Sequence, residues 1–123
     1  MRYLNTVHAP EAIGPYSQGI QVDSWIFVSG QLPIDPISGQ IPEDIRSQVQ
    51  QSLENVKAVL LAAGSSLDRV VKTTLFLASM ENFPVVNAVY ADYFQGARPA
   101  RSTVEVSRLP KDALIEIEVI ARA

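Results

Sequence analysis

Residues Arg98–Ala123 carry the pattern that most restricts how this chain can fold. Over Arg101–Val106, Ser102, Val104 and Val106 alternate with Arg101, Thr103 and Glu105; over Leu114–Ile120, Ile115, Ile117 and Val119 alternate with Leu114, Glu116, Glu118 and Ile120. Successive side chains of a strand point to opposite faces, so each segment reads as a strand with one apolar and one charged side. Ser107–Ala113 joins them. If the two pair antiparallel, slipping by one residue would bury carboxylates. The expected register unites the apolar rows and sets Arg101, Thr103, Glu105, Glu116 and Glu118 on the other face. One guanidinium and up to three carboxylates on one face make a candidate site.

The rest of the chain supplies a second layer. Residues 1–16 read as irregular, punctuated by Pro10, Gly14 and Pro15. Ile20–Val22 and Trp25–Val28 flank Asp23-Ser24 as a two-residue hairpin, and Pro33, Asp35-Pro36 and Ser38-Gly39 then mark a loop. A helix opens at Pro42-Glu43-Asp44, with Pro in its first turn and acids at the positive end of its dipole. Ile45, Val49, Leu53, Val56, Leu60 and Ala63 form its apolar stripe, and Gly64 stops it. Val70–Leu77 is β-branched and aromatic enough for a strand. A second helix runs from about Asn82 to Phe94, with Phe83, Val86, Tyr90 and Tyr93 or Phe94 inward and Pro84 in its first turn. The predicted order is β-β-α-β-α-β-β, an α+β layer with two helices on one face of a single sheet. The other face is left for water or a partner.

Composition narrows the function classes. The 123 residues suit a single domain, 1–123, with room for one core. A net charge of −3 with no basic run argues against nucleic acid. Without cysteine there is no disulfide, no thiolate metal site and no thiol nucleophile. The apolar runs are too short for a membrane span, and Met1–His8 lacks the apolar core of a signal peptide, so a cytoplasmic location is expected.

Several residues have the chemistry of a site. Arg101 presents a planar fork that binds a carboxylate bidentately, suiting an amino-acid-like or oxo-acid ligand; equally, it fits a cross-strand ion pair with Glu116 or Glu118 worth roughly 0.2–1 kcal/mol. Glu116 is a general base acting through water if burial and a second carboxylate raise its pKa, or else solvated strand polarity. Glu118 shares its facing. Ser29-Gly30 closes a strand, where a hydroxyl and an uncrowded N–H can hold a substrate oxygen or simply end the strand. Tyr16, beside Pro15, offers an aromatic wall or edge packing. Asn87, mid-way in an apolar helix, needs a partner, structural or bound. His8 reads as a surface residue, and one histidine without cysteine makes no metal site. Gly14–Gly19 lacks the Gly-Lys-Ser/Thr ending of a phosphate loop.

Taken together, several stretches resemble the RidA (YjgF) family of reactive intermediate deaminases. They are Ala9-Pro10-Glu11-Ala12-Ile13-Gly14-Pro15-Tyr16-Ser17-Gln18, Phe27-Val28-Ser29-Gly30-Gln31-Leu32-Pro33, Asn55–Leu60 and, most specific, Pro99-Ala100-Arg101-Ser102-Thr103-Val104-Glu105-Val106-Ser107-Arg108-Leu109-Pro110-Lys111-Asp112 with Ile115-Glu116-Ile117-Glu118. The resemblance runs in order through nearly the whole chain. It implies a chorismate-mutase-like fold, a homotrimer with open sheet faces turned to the threefold core, and pockets between subunits. The implied activity is hydrolysis of short 2-imino acids, such as 2-aminoacrylate and 2-iminobutanoate, to 2-oxo acids and ammonia, with no cofactor and no metal. By position, Arg101 matches the family's carboxylate clamp and Glu116 its water-handling acid. Tyr16, Ser29, Gly30 and Asn87 match residues lining the pocket. Thr103 stands where many members have cysteine, which bears on selectivity and removes any thiol response. Two rivals follow: a trimeric 2-oxo-acid-binding module without turnover, and a ribonuclease or translation inhibitor, against which the acidic balance counts.

Overall fold

The computed structural model describes residues 1–123. Six strands form one sheet: β1 (Arg2–Leu4), β2 (Gly19–Val22), β3 (Trp25–Gln31), β4 (Val70–Leu77), β5 (Ala100–Glu105) and β6 (Ile115–Arg122). Two helices, α1 (Ile45–Ala62) and α2 (Phe83–Tyr93), complete the order β-β-β-α-β-α-β-β. The expected order thus gains a strand at the N-terminus. Arg2–Leu4 lies within the stretch read as irregular, because three residues are too short to show a period and earn their strand by pairing with Gly19–Gln21.

The spatial order is β1-β2-β3-β6-β4-β5. Every pairing is antiparallel except β4 with β5. The predicted hairpin is present, with Val22 opposite Trp25 and Asp23 turning at φ 52°. The predicted pairing of the two terminal strands is not. β6 lies in mid-sheet between β3 and β4, whereas β5 lies parallel to β4 on the edge. The Ser107–Leu114 segment spans the end of β4, where Ala78 N–H donates to the Leu114 carbonyl and Val106 N–H to the Leu77 carbonyl.

Both helices pack on one face. Ile26, Val28, Leu75, Leu77, Ile115, Ile117, Val119 and Ala121 point from the sheet into a buried core shared with Val49, Leu53, Val56, Val59 and Leu60 of α1 and Val86 and Val89 of α2. The Asp44 side chain caps α1 by accepting from Ser47 N–H at 2.9 Å, so Pro42 lies just outside the helix instead of in its first turn. Gly64, at φ 77°, ends it as expected; Gly64 N–H reaches the Leu61 carbonyl and Ser65 N–H the Leu60 carbonyl, a Schellman closure.

One buried row of α1 is polar. Ser52 Oγ donates to the Gln31 carbonyl at 2.7 Å, and Asn55 Nδ2 to the Leu32 and Ile34 carbonyls at 2.9 Å each. Gln48 joins Leu114 N–H to the Pro42 carbonyl. The helix therefore holds the loop after β3 by its backbone as well as packing on the sheet. The opposite sheet face is uncovered and largely apolar: Tyr3, Val22, Trp25, Phe27 and Val104 are all exposed there, with Phe27 at 46%.

Candidate active site

Strand parity decides where the charged residues go. Arg101 pairs with Thr73, which is buried on the helix side, so Arg101 and Thr103 project on that side. Glu116 alternates with the buried Ile115 and Ile117, so it and Glu118 project on the uncovered face. The expectation that Arg101 and Glu116 share a face is therefore corrected. It rested on pairing β5 with β6, and with β4 between them the apolar row of β5 turns to the open face while that of β6 turns to the core. Two strand spacings, about 10 Å, and the thickness of the sheet separate the two groups.

On the helix side, Arg101 sits in a cage built by α2. Its Nη1 donates to Asn87 Oδ1 at 2.8 Å, and its guanidinium carbon lies 4.8 Å from the Tyr90 ring centre and 5.4 Å from that of Phe83. The Tyr90 hydroxyl shares a 2.9 Å hydrogen bond with Thr73, closing the cage from below. Burial pushes the Tyr90 phenol up, so the ring stays neutral beside the guanidinium. No carboxylate pairs with Arg101; the one ion pair in the chain joins Arg108 to Asp112. A cation held by one amide and two ring faces keeps the outer edge of its fork for an anion. It opens on a cleft of about 580 Å³ lined also by Arg98, Pro99 and Phe94. Thr103, two residues along, has a buried hydroxyl with no hydrogen-bond partner.

Glu116 belongs to a second cluster. Between Val28–Val119 and Gln31–Ile117 the β3–β6 register slips, and Ser29 and Gly30 oppose the single residue Glu118. This bulge re-aims β3 beside the carboxylate. A Cβ on Gly30 would lie 2.0 Å from Glu116 Oε1, so only glycine lets the acid rest against the strand. Burial and the charge of Glu118 raise the Glu116 pKa above its ordinary value. Glu118 itself is exposed.

Ser29 and Gly30 also line a cleft of about 430 Å³ with Tyr16, Ile13, Leu32 and Lys111. The Ser29 hydroxyl donates to the Ser17 carbonyl, and its N–H to the Gln18 carbonyl. Both donors are committed, and what Ser29 retains for a ligand is acceptor capacity. Tyr16 is 53% exposed at the cleft wall. Its loop is pinned by the buried Gln18, whose amide accepts from Thr6 N–H and donates to the Thr6, Ala9 and Pro10 carbonyls.

The site residues thus fall into two half-sites: Arg101, Asn87 and Thr103 around α2 and β5, and Tyr16, Ser29, Gly30 and Glu116 around the bulge. Phe83, Tyr90, Arg98, Gln18 and Lys111 were missed among the candidates. The first two were assigned inward by helical spacing, which cannot tell core packing from a cation cage. Glu105 stays on the helix side with Arg101, opposite the buried Leu77, and is engaged there, accepting from Met80 N–H at 2.8 Å ahead of α2. His8 is exposed as expected. No three His, Cys, Asp or Glu side chains lie close enough to hold a metal ion.

Comparison with known proteins places this geometry. Residues 6–123 match the family model described as endoribonuclease L-PSP. A 2-iminobutanoate/2-iminopropanoate deaminase of Salmonella typhimurium is 51% identical over 121 residues, covering 96% of this chain and 94% of its own. A RutC family protein of Pyrococcus horikoshii is 56% identical over 117 residues, 94% of this chain and 93% of its own. The crystal structure of Escherichia coli TdcF with bound serine superposes with a TM-score of 0.98 at 45% identity, covering 100% of this chain and 99% of that one.

Proposed function

The chain belongs to the endoribonuclease L-PSP family, also called YjgF/RidA, and from that premise we propose that it hydrolyses short-chain 2-imino acids to 2-oxo acids and ammonia. The single observation that carries this is the Arg101 cage: an unpaired guanidinium, oriented by Asn87 and two aromatic rings, at a cleft with no carboxylate of its own. The 51% identical relative named as such a deaminase supports the same reading.

In the proposed reaction Arg101 clamps the substrate carboxylate through two parallel hydrogen bonds. The iminium carbon is already electrophilic, so the protein has to orient it and manage protons. Glu116, with its raised pKa, takes a proton from a water as the oxygen bonds to C2. The tetrahedral carbinolamine collapses when that proton passes to the amino nitrogen: the C–N bond breaks to release ammonia, and the hydroxyl proton returns to the Glu116 carboxylate, and from it to the ammonia, as the C=O of the 2-oxo acid forms. Ser29 Oγ accepts from the iminium N–H, Gly30 leaves space for the carboxylate, Tyr16 walls the pocket, and Asn87 and Thr103 complete the clamp side.

Because the two half-sites lie on opposite faces of one sheet, the pocket is assembled between neighbouring copies of a homotrimer, whose contacts cover Phe27, Trp25 and Val104 on the open face. The protein works as one domain in the cytoplasm, beside the pyridoxal-phosphate enzymes that release such imines. No helix is long and apolar enough to cross a membrane. A sensing role without turnover is favoured by one observation, the serine held by the TdcF relative. The family's endoribonuclease description meets a chain of net charge −3 whose basic residues form no run.

The test couples the protein to a threonine dehydratase and traps the imine with semicarbazide. The imine lifetime shortens with wild type, and Arg101→Ala lowers kcat/KM about a hundredfold or more, since two charge-assisted hydrogen bonds worth roughly 1.5–3 kcal/mol each are lost. An unchanged lifetime with wild type, alongside saturable 2-oxo-acid binding, establishes the sensing role instead.

A further inference from the structure

The turn Pro110-Lys111-Asp112 is the one place where two consecutive non-glycine residues hold positive φ, 57° at Lys111 and 55° at Asp112. Side chains crowd the backbone in this left-handed region, and glycine or asparagine fills it far more readily than lysine. The turn is held from both sides. Leu109 and Ala113 are buried anchors at its ends. Asp112 N–H bonds to the Leu109 carbonyl and Ala113 N–H to that of Pro110, and the Arg108–Asp112 ion pair at 2.8 Å spans it.

Those constraints direct one side chain. Lys111 is exposed and lines the 430 Å³ cleft that also holds Tyr16, Ser29 and Gly30. Its ammonium has no ion-pair partner; the adjacent acid, Asp112, is taken by Arg108. Glu11 lines the same cleft without pairing to Lys111, and Glu116 lies behind Gly30. A free cation thus lines a half-site that otherwise presents only negative and neutral groups. An anionic substrate entering there meets repulsion from Glu116 unless something offsets it.

We propose that Lys111 is a substrate-recruiting residue, drawing the carboxylate of a 2-imino acid into the bulge-side cleft and screening it from Glu116 before Arg101 binds it. The inference rests on the deaminase reading. It assigns Lys111 to capture and not to bond breaking, so its effect falls on KM. Backbone strain of this kind clusters at active sites and ligand clamps, which agrees with a lysine placed for its side chain.

The experiment measures steady-state imine hydrolysis by wild type, Lys111→Asn and Lys111→Arg over a range of ionic strength. Lys111→Asn removes the charge and suits the left-handed backbone, so its melting temperature is at least that of wild type. Its KM rises about tenfold, the lower end of what a focused charge contributes to capture, while kcat stays close to wild type. Wild-type KM rises with salt, the Asn variant's rises less steeply because only Arg101 still attracts the carboxylate, and Lys111→Arg restores both KM and the wild-type slope. An active wild type whose KM is unmoved by Lys111→Asn overturns this inference alone. So does a raised KM that keeps the full wild-type salt slope and is not rescued by arginine, which marks a structural role. A wild type inert toward imines overturns the deaminase reading beneath it.

Discussion

At Glu116 stability and activity pull in opposite directions. Its carboxyl is half buried, against Gly30 and two residues from Glu118, and both burial and that neighbouring charge raise its pKa. The folded chain therefore holds this proton more tightly than the unfolded one. Ionised Glu116 opposes folding above its raised pKa, and stability from this group grows as pH falls through it. Glu116→Gln is expected to raise the melting temperature at pH 7 while abolishing water activation. The acid limb of the wild-type kcat profile should sit above the ordinary glutamate range, and Glu118→Gln should move it down by removing the second charge. Calorimetry and a pH–rate series check both. A destabilised Glu116→Gln chain contradicts the account. Gly30 was legible in sequence as the end of a strand, but its reason for being glycine was not. That reason is a carboxylate from a strand some 85 positions later, a tertiary contact outside the reach of any local pattern.

The elements show where periodicity informs and where it stops. The stripe Val49, Leu53, Val56 and Leu60 announces α1, and all four are fully buried. The same helix buries Ser52 and Asn55, which no apolar stripe includes. Their partners are carbonyls of residues 31, 32 and 34, so the row is visible only once the loop after β3 is in place. Asn55→Ala leaves two part-buried carbonyls without that donor and should cost roughly 1–3 kcal/mol, read as a lower midpoint in denaturant unfolding. Because those carbonyls begin two residues after Gly30, the loss should also loosen the bulge-side half-site. An unaltered midpoint would remove α1 from the account of how that half-site is held. The terminal strands teach the converse. Their alternation identified both strands and the two faces of each. It could not identify the neighbour, since period two is equally satisfied by pairing with β4. An intervening strand reversed which row of β5 meets the core, and with it the face of Arg101.

For the whole molecule, the division of the site matters more than any one contact. One chain carries a caged guanidinium on its helix side and the half-buried Glu116 carboxylate on its open side, with an uncovered apolar surface around Phe27 that the proposed trimer would cover. A cyclic trimer repeats one heterologous interface three times, so if the proposed interface joins Arg101 of one copy to the bulge of the next, it does so at all three sites. The family resemblance was readable from sequence, most specifically through Pro99–Asp112 and also through Ala9–Gln18, and the fold of a relative with bound serine agrees along the full chain. The separation of Arg101 and Glu116 onto opposite faces was not readable from strand pattern, which placed them side by side. Subunit complementation tests this most directly. Arg101→Ala and Glu116→Gln chains are each purified, then unfolded and refolded together in equal amounts, and imine lifetime is measured by semicarbazide trapping. Each variant alone should leave the lifetime unchanged. The mixture should shorten it, because random assembly sets an intact Arg101 against an intact Glu116 in about one quarter of the sites. A mixture as inert as its components, with wild type active after the same refolding, would contradict a site built between chains.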